Sequence, residues 1–364
     1  MGWSNLKLGT QWHRPHDWSS TAPRAFIGQT VQMTILVTGC AGYIGSHAVR
    51  LLGDRGRDVV VLDSMEFGHR AAVGDTPLVE ADIGHDKSVR KVVSQFDVDA
   101  VMHFGGYKAA GESMEQPGRY FHNNVSKSAS LIESLSRAGV KRFVFSSSCA
   151  VYGTPERVPV NEDAPIRPES PYGESKAMVE RMLSWYDRCD GLRSVSLRYF
   201  NAAGAWPDGS IGEDWGLTLN LVPLVMKAAL GRRGPLRVFG TDYPTPDGTA
   251  IRDYVHVIDL AEAHIKALEH LESGGTTTAL NLGTGVGSSV FEVLATAERV
   301  IGRPVPYELA ERRAGDPVAL FSDTHRASEI LGWEAKSGLD DIVASAWAWH
   351  STHLDGYGTD APGS

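Results

Sequence analysis

Cysteine is scarce in this chain: the three present among 364 residues, Cys40, Cys149 and Cys189, form no Cys-x-x-Cys pair. Their segments read as a turn, a strand end and a helix, so neither a disulfide framework nor a metal site is indicated, and the reducing cytoplasm fits best. Long apolar runs are missing too. No eighteen consecutive apolar residues occur, and the first thirty residues lack the apolar centre of a signal peptide, which argues against membrane spanning and secretion. There is no basic surplus either. With 35 Lys and Arg against 44 Asp and Glu, the formal charge is -9. Nothing is left over to neutralise a phosphate backbone, so nucleic acid is not an expected partner. Internal repeats and low-complexity stretches are likewise absent.

What remains is an ordinary globular composition, 42% hydrophobic, in a chain long enough to bury a sizeable core. Residues 1–32 mix Trp, His, Pro and Ser without a period and read as a mobile extension, with Met33 a candidate natural start. From Thr34, β-branched runs alternate with amphipathic stretches: TILVTG, a helix from Tyr43, VVVLD, a helix near Asp86, DAVMHF, a helix ending at Ala138, and KRFVFSS. Apolar strands joined by helices predict a parallel sheet covered on both faces, with ligands at the strand carboxyl ends. The expected fold class is therefore α/β, a Rossmann-type doubly wound parallel sheet with a smaller mixed α/β substrate-binding lobe. Residues 33–200, with 250–285 returning, would form the dinucleotide-binding part. Residues 201–249 and 286–353 would form the lobe, and 354–364 a flexible tail. The Gly/Pro-rich stretch from Asn201 to Asp253 reads as irregular. A helix over Asp259 to Leu271, the strand ALNLG and two further helices follow it.

TILVTG runs directly into GCAGYIG. Gly39, Gly42 and Gly45 would tighten the turn, admit a pyrophosphate to the backbone and let the next helix pack closely, with its N-terminus facing the phosphates. A three-glycine turn alone is a weak signal, since glycine-rich turns without ligands are common. Asp63 strengthens it: this carboxylate ends the second strand eighteen residues after Gly45, where it would accept hydrogen bonds from ribose hydroxyls and repel a 2′-phosphate. That favours NAD over NADP, with Arg70 nearby leaving the phosphorylated form open. Asp82, followed by Ile83 after the third strand, could meet an adenine amino group or be a solvated loop carboxylate.

Tyr172 and Lys176, four residues apart in PYGESK, project from one face of a helix begun by Pro171. Alone, such a pair reads more simply as a surface contact. The glycine turn upstream and the strand-end serines Ser146, Ser147 and Ser148 give it chemistry. Lys176 as a cation, aided by the positive nicotinamide, would lower the Tyr172 pKa towards working pH, and Ser148, otherwise a strand-end cap, would hydrogen-bond the same hydroxyl.

Together with TGCAGYIGSH, HFGGYKAAGES, FSSSCAVYG, LRYFNAAGA and ERRAGDP, these residues resemble the extended short-chain dehydrogenase/reductase family, and within it the UDP-sugar 4-epimerases, over residues 33 to about 353. The resemblance implies that Tyr43, Ile44, Asp63, Asp82, Ile83, Phe104, Lys108, Asn123, Ser148, Tyr172, Lys176 and Phe200 contact NAD or its reacting end. It implies that Asn201, Asn220, Leu221, Arg252, Tyr254, Arg313 and Asp316 hold a UDP-sugar. Arg252 and Arg313 would supply guanidinium forks for the diphosphate, although each alone could be a surface ion-pair former. The backbone near Arg237 to Phe239 would border uracil, and Leu320 resembles a gate beside the sugar. The implied reaction is redox-neutral interconversion of UDP-galactose and UDP-glucose through a 4-keto sugar, with Tyr172 as acid and base. The family implies a homodimer through helices over residues 116–137 and 171–188. Open alternatives are another UDP-sugar 4-epimerase (UDP-GlcNAc or UDP-glucuronate), a nucleotide-sugar 4,6-dehydratase and a nonenzymatic NAD sensor. No acidic residue follows Ser148 before Val151-Tyr152-Gly153, which speaks against the dehydratase. Tyr107 stands where Leu is more usual.

Overall fold

The computed structural model describes residues 33–216, 218–313 and 316–358. The extension expected over 1–32 lies outside the described residues. Five β-branched or apolar residues begin the first strand, β1 (Thr34–Thr38), and the glycine turn delivers the chain into α1 (Tyr43–Asp54). The same alternation continues through β2 (Asp58–Asp63), β3 (Leu78–Glu80), α2 (Asp86–Phe96) and β4 (Val98–His103). Next come α3 (Ala110–Glu115), α4 (Pro117–Tyr120) and α5 (Lys127–Arg137). Residues Phe121–Ser126 join α4 to α5 as a stretch of wider π-type winding, a feature often found at functional sites. The strand β5 (Arg142–Ser146), the helix α6 (Pro171–Asp190) and the strand β6 (Arg193–Tyr199) follow.

Beyond β6 lie β7 (Asn201–Ala203), α7 (Leu221–Ala229), β8 (Leu236–Phe239), β9 (Ile251–His256) and α8 (Val257–Glu272). The stretch read as irregular thus holds a helix and short strands. Its glycines and prolines sit mostly in the turns, and Pro223 falls in the first turn of α7, where a missing N–H costs nothing. The chain closes with β10 (Thr278–Leu282), β11 (Gly287–Ser289), α9 (Val290–Ile301), β12 (Tyr307–Ala310), β13 (Ala319–Leu320), α10 (His325–Leu331) and α11 (Leu339–Thr352). Three helices rather than two follow β10, the extra one being the seven-residue α10.

Seven parallel strands form the main sheet in the order β10-β6-β5-β4-β1-β2-β3. Successive side chains of a strand point to opposite faces. Ile35 and Val37 accordingly enter one core with α1 and α8, while Leu36 enters the other with α2, α5 and α6. The strand order reverses between β1 and β4, the switch point at which such sheets open a crevice. A smaller core gathers α7, α9 and α11 beside β8. There β11 and β13 flank β9, β7 also pairs with β9, and β12 pairs with β8. Of the stretch expected as a flexible tail, residues 354–358 include a turn in which Tyr357 is half-buried, while 359–364 lie outside the described residues. Among the described residues no helix is long and apolar enough to cross a membrane.

Candidate active site

At the switch point, Gly39 has φ +69°, and a Cβ there would stand 2.3 Å from the Gly105 Cα, so the turn after β1 must nest against the turn after β4. A Cβ at Gly45 would stand 2.4 Å from the Cys40 Cα, which keeps α1 tight on the sheet. Gly42 differs. A Cβ there would meet only the Gly39 carbonyl oxygen, at 3.7 Å, so nothing in the protein demands glycine and the space belongs to a ligand. Gly42 also caps α1 with no side-chain acceptor, leaving the helix's first N–H groups facing that space. These features fit a pyrophosphate.

The cavity in front of this turn measures about 580 Å³ and is bordered by Gly39, Gly42, Tyr43, Ile44, Gly45, Asp63, Asp82, Ile83, Phe104, Lys108, Asn123, Tyr172 and Lys176. The structure thereby brings both halves of the expected site to one hollow. Asp63 is fixed by two backbone donors, Ala41 N–H and Met65 N–H, each at 2.9 Å. Burial raises its carboxyl pKa against those two bonds. Asp82 is tied to Lys127 at 2.5 Å and to the Gly84 N–H at 2.8 Å. Against the burial that would raise it, these bonds hold the Asp82 carboxyl below its ordinary value. The Tyr43 hydroxyl donates to the Gly204 carbonyl at 2.6 Å, and Asn123 lies on the π-wound stretch.

Ser170 caps α6 by accepting from the Gly173 N–H at 3.1 Å, and Pro171 opens the helix, so Tyr172 and Lys176 enter from its first turns. Both are buried. Lys176 Nζ donates to the Ser146 carbonyl at 2.8 Å and lies 4.9 Å over the Phe145 ring. Burial lowers this ammonium to about 8, with Glu180 acting in the opposite sense. For Tyr172 the protein groups act alone, without the positive nicotinamide on which the expected lowering also draws. Burial, and next the Tyr199 phenol, raise its pKa, while the hydrogen bond from Ser148 works the other way. The physical reason is desolvation: an enclosed phenolate loses more hydration than this arrangement of protein groups returns.

Ser148 stands behind the cavity and accepts from the Ala150 N–H at 3.2 Å, the strand-end capping contact. Ser147 turns away, donating to Glu180 at 2.5 Å. Glu180 pairs with buried Arg198 at 2.6 Å, and Arg198 reaches the Tyr152 hydroxyl at 2.9 Å. This network braces the serine run from behind. Phe200 does not border the cavity; it packs with Val151, Tyr152, Val160 and Ala177, with Leu320 against the same cluster.

The expected sugar-nucleotide residues form a second group, none of them on the cavity wall. The Asn201 amide donates to the Asp253 carbonyl at 3.0 Å. Arg252 and Tyr254 lie on β9; Arg252 pairs with Asp316 and registers opposite Leu320 on β13. Arg313 lies 4.6 Å and Arg237 5.0 Å from the Phe239 ring centre, leaving two guanidinium groups around one aromatic plate. Leu221 begins α7, and the Asn220 amide donates to Glu213 at 3.2 Å.

Glu213 was not legible beforehand. Its buried carboxylate borders the cavity and also accepts from Lys108 Nζ at 2.8 Å, joining a residue of each group. Lys127, four residues after Asn123 and so on the same helical side, was within reach of a spacing argument. Tyr357 gave no signal. It stacks on His69 at 4.7 Å and accepts from the Gly212 N–H at 3.2 Å, while His69 meets Asp214 at 3.0 Å.

Residues 35–283 match the model of the NAD dependent epimerase/dehydratase family. A UDP-glucose 4-epimerase of Lactobacillus helveticus is 46% identical over 89% of this chain and 99% of its own length. The crystal structure of UDP-glucose 4-epimerase from Brucella ovis in complex with NAD is 44% identical, with a TM-score of 0.86 over 89% of this chain and 98% of that one. The enzyme of that name from Stenotrophomonas maltophila, with bound NAD and formylated UDP-arabinopyranose, is 39% identical, with a TM-score of 0.86 over 88% and 99% of the two chains. A family match over most of the chain, near-complete relatives and a shared fold agree with the glycine turn and the Tyr172–Lys176 pair: the chain belongs to the NAD dependent epimerase/dehydratase family.

Proposed function

We propose that the chain interconverts UDP-galactose and UDP-glucose by transient oxidation at sugar C4, with NAD held throughout the cycle. The observation that carries this is the presence of Tyr172 and Lys176 on the wall of the same cavity as the glycine turn and Asp63, in a chain 46% identical to a UDP-glucose 4-epimerase over 89% of its length. NAD held against Gly42, Asp63 and the rest of the cavity wall would supply the acceptor and donor of hydride for C4. Tyr172 accepts the proton of the C4 hydroxyl as hydride leaves and returns it when hydride comes back to the other face of the 4-keto sugar. Ser148 orients the phenol, and Lys176, fixed by the Ser146 carbonyl, places a cation beside the phenolate.

Gly39, Gly42, Tyr43, Ile44, Gly45, Asp63, Asp82, Ile83, Phe104, Lys108, Asn123 and Phe200 serve the cofactor in this reading. Asn201, Asn220, Leu221, Arg237, Phe239, Arg252, Tyr254, Arg313, Asp316 and Leu320 serve the sugar nucleotide. Residues 33–200 with 250–285 act as the cofactor part and the remainder to 353 as the sugar lobe. The protein works in the cytoplasm as a homodimer; exposed Trp185 on α6 and Met114 on α3 supply apolar contact area for the partner.

Dehydration is disfavoured by chemistry as well as sequence. Burial pushes the Cys149 thiol beside Ser148 to about 12, so no second acid or base works there near neutral pH. Purified protein incubated with UDP-galactose and no added cofactor should yield UDP-glucose on chromatography. A 4-keto-6-deoxy product, or no conversion even with NAD added, would refute the reading.

A further inference from the structure

Among the cavity-bordering side chains that belong to neither expected set, three meet one another. Glu66 follows β2, Tyr107 follows β4 and Arg119 lies on α4. The Tyr107 hydroxyl sits 3.0 Å from each oxygen of Glu66. Arg119 stacks 4.3 Å from the Tyr107 ring centre, reaches Glu66 at 3.4 Å and is braced by Glu112 at 2.6 Å. Glu112 also accepts from the Tyr120 hydroxyl at 2.7 Å, and Phe67 meets the Tyr107 ring at 5.8 Å.

Position in the sheet gives this cluster its meaning. β2 and β4 lie on either side of β1, so a contact between the segments that follow them spans the glycine turn at the end of β1. The side chains of Glu66 and Arg119 are 44% and 35% exposed, which puts the bridge at the solvent edge rather than on the cavity floor. We propose that Glu66, Tyr107 and Arg119 form a clasp across the mouth of the dinucleotide groove that slows release of the cofactor.

The inference rests on the NAD reading above. A redox-neutral cycle regenerates its cofactor at every turnover, so exchange with solvent contributes nothing, and a bridge over the groove must part before a dinucleotide can leave. Exposed ion pairs are individually weak and yield to salt; a cation–π stack and a shared carboxylate join them here into one unit. Release through such a bridge therefore depends on ionic strength, whereas release limited by apolar packing would not.

The test uses the full-length holoenzyme loaded with radiolabelled NAD and chased with unlabelled NAD, in wild type, Tyr107→Phe and Glu66→Gln. Tyr107→Phe keeps the ring beneath Arg119 and removes only the hydroxyl, so folding is preserved. Release is expected about tenfold faster in both variants at low salt. Raising salt to about 1 M should speed release from wild type while leaving Glu66→Gln nearly unchanged. Equal release rates in all three proteins, or a wild-type rate indifferent to salt, would overturn the clasp. A wild type that takes up no NAD would overturn the cofactor reading and the clasp with it, a result distinct from equal release rates.

Discussion

Lys176 Nζ donates to the carbonyl oxygen of Ser146 at 2.8 Å, which ties the first turns of α6 to the end of β5 through one buried cation. Burial lowers that ammonium from its ordinary 10.5 to about 8. Below pH 8 the folded protein therefore carries the full penalty of a buried charge, and the penalty fades as pH rises from 8 towards 10.5. Lys176→Met removes the titrating group. The stability difference between Lys176→Met and wild type should shift in favour of wild type between pH 7 and 10, by at most about 3 kcal/mol. Urea denaturation at several pH values measures it; a difference that stays constant would contradict a lowered Lys176.

Removing the proton carrier should separate chemistry from cofactor binding. Tyr172→Phe should lose about 10²- to 10⁴-fold in kcat while still copurifying with NAD. Ser148→Ala, which deletes the hydroxyl assigned to orienting the phenol in the proposed reaction, should lose about 10- to 100-fold. Near-normal turnover by Tyr172→Phe would exclude it as the acid and base.

The glycine turn offers a contrast between folding and binding. Gly39→Ala combines a positive φ with a 2.3 Å approach to Gly105 and should destabilise the fold by about 2 kcal/mol or more. Gly42→Ala meets nothing closer than 3.7 Å and should melt like wild type stripped of its cofactor, yet lose bound dinucleotide. Thermal melting and the ultraviolet absorbance of released cofactor report the two effects separately. Full NAD occupancy in Gly42→Ala would mean that the phosphates lie elsewhere.

Behind the serine run, the buried Glu180–Arg198 pair is costly to break from one side. Glu180→Leu alone should destabilise by about 3 to 5 kcal/mol because it strands a guanidinium, whereas Glu180→Leu with Arg198→Met should recover much of that loss. A double variant no more stable than the single one would show that the pair is needed for the packing of α6 on β6.

Much of this architecture is legible in the chain because its signals are local. Strand, turn and helix follow one another at Thr34 to Asp54, so Gly39, Gly42 and Gly45 announce their own setting. Tyr172 and Lys176 share a helix and gain meaning from serines only one strand away. Glu213 meets Lys108 across 105 residues and Tyr357 meets Gly212 across 145, and no spacing rule reaches that far. The same limit hides the clasp: Glu66, Tyr107 and Arg119 read singly as surface residues until the strand order brings them together. The depth of Tyr172 is hidden for another reason: sequence shows its charged neighbour but not its burial, which raises the phenol's pKa in the protein alone.

The turn at residues 354–358 has a consequence for the order in which the cavity is built. Tyr357 stacks on His69, just beyond β2, and completes a wall of the cavity together with Gly212. A contact between positions 69 and 357 closes a very long loop, and the entropy of that closure must be met before the contact returns anything. This wall is therefore a late product of folding, assembled after the local strand–turn–helix units it borders.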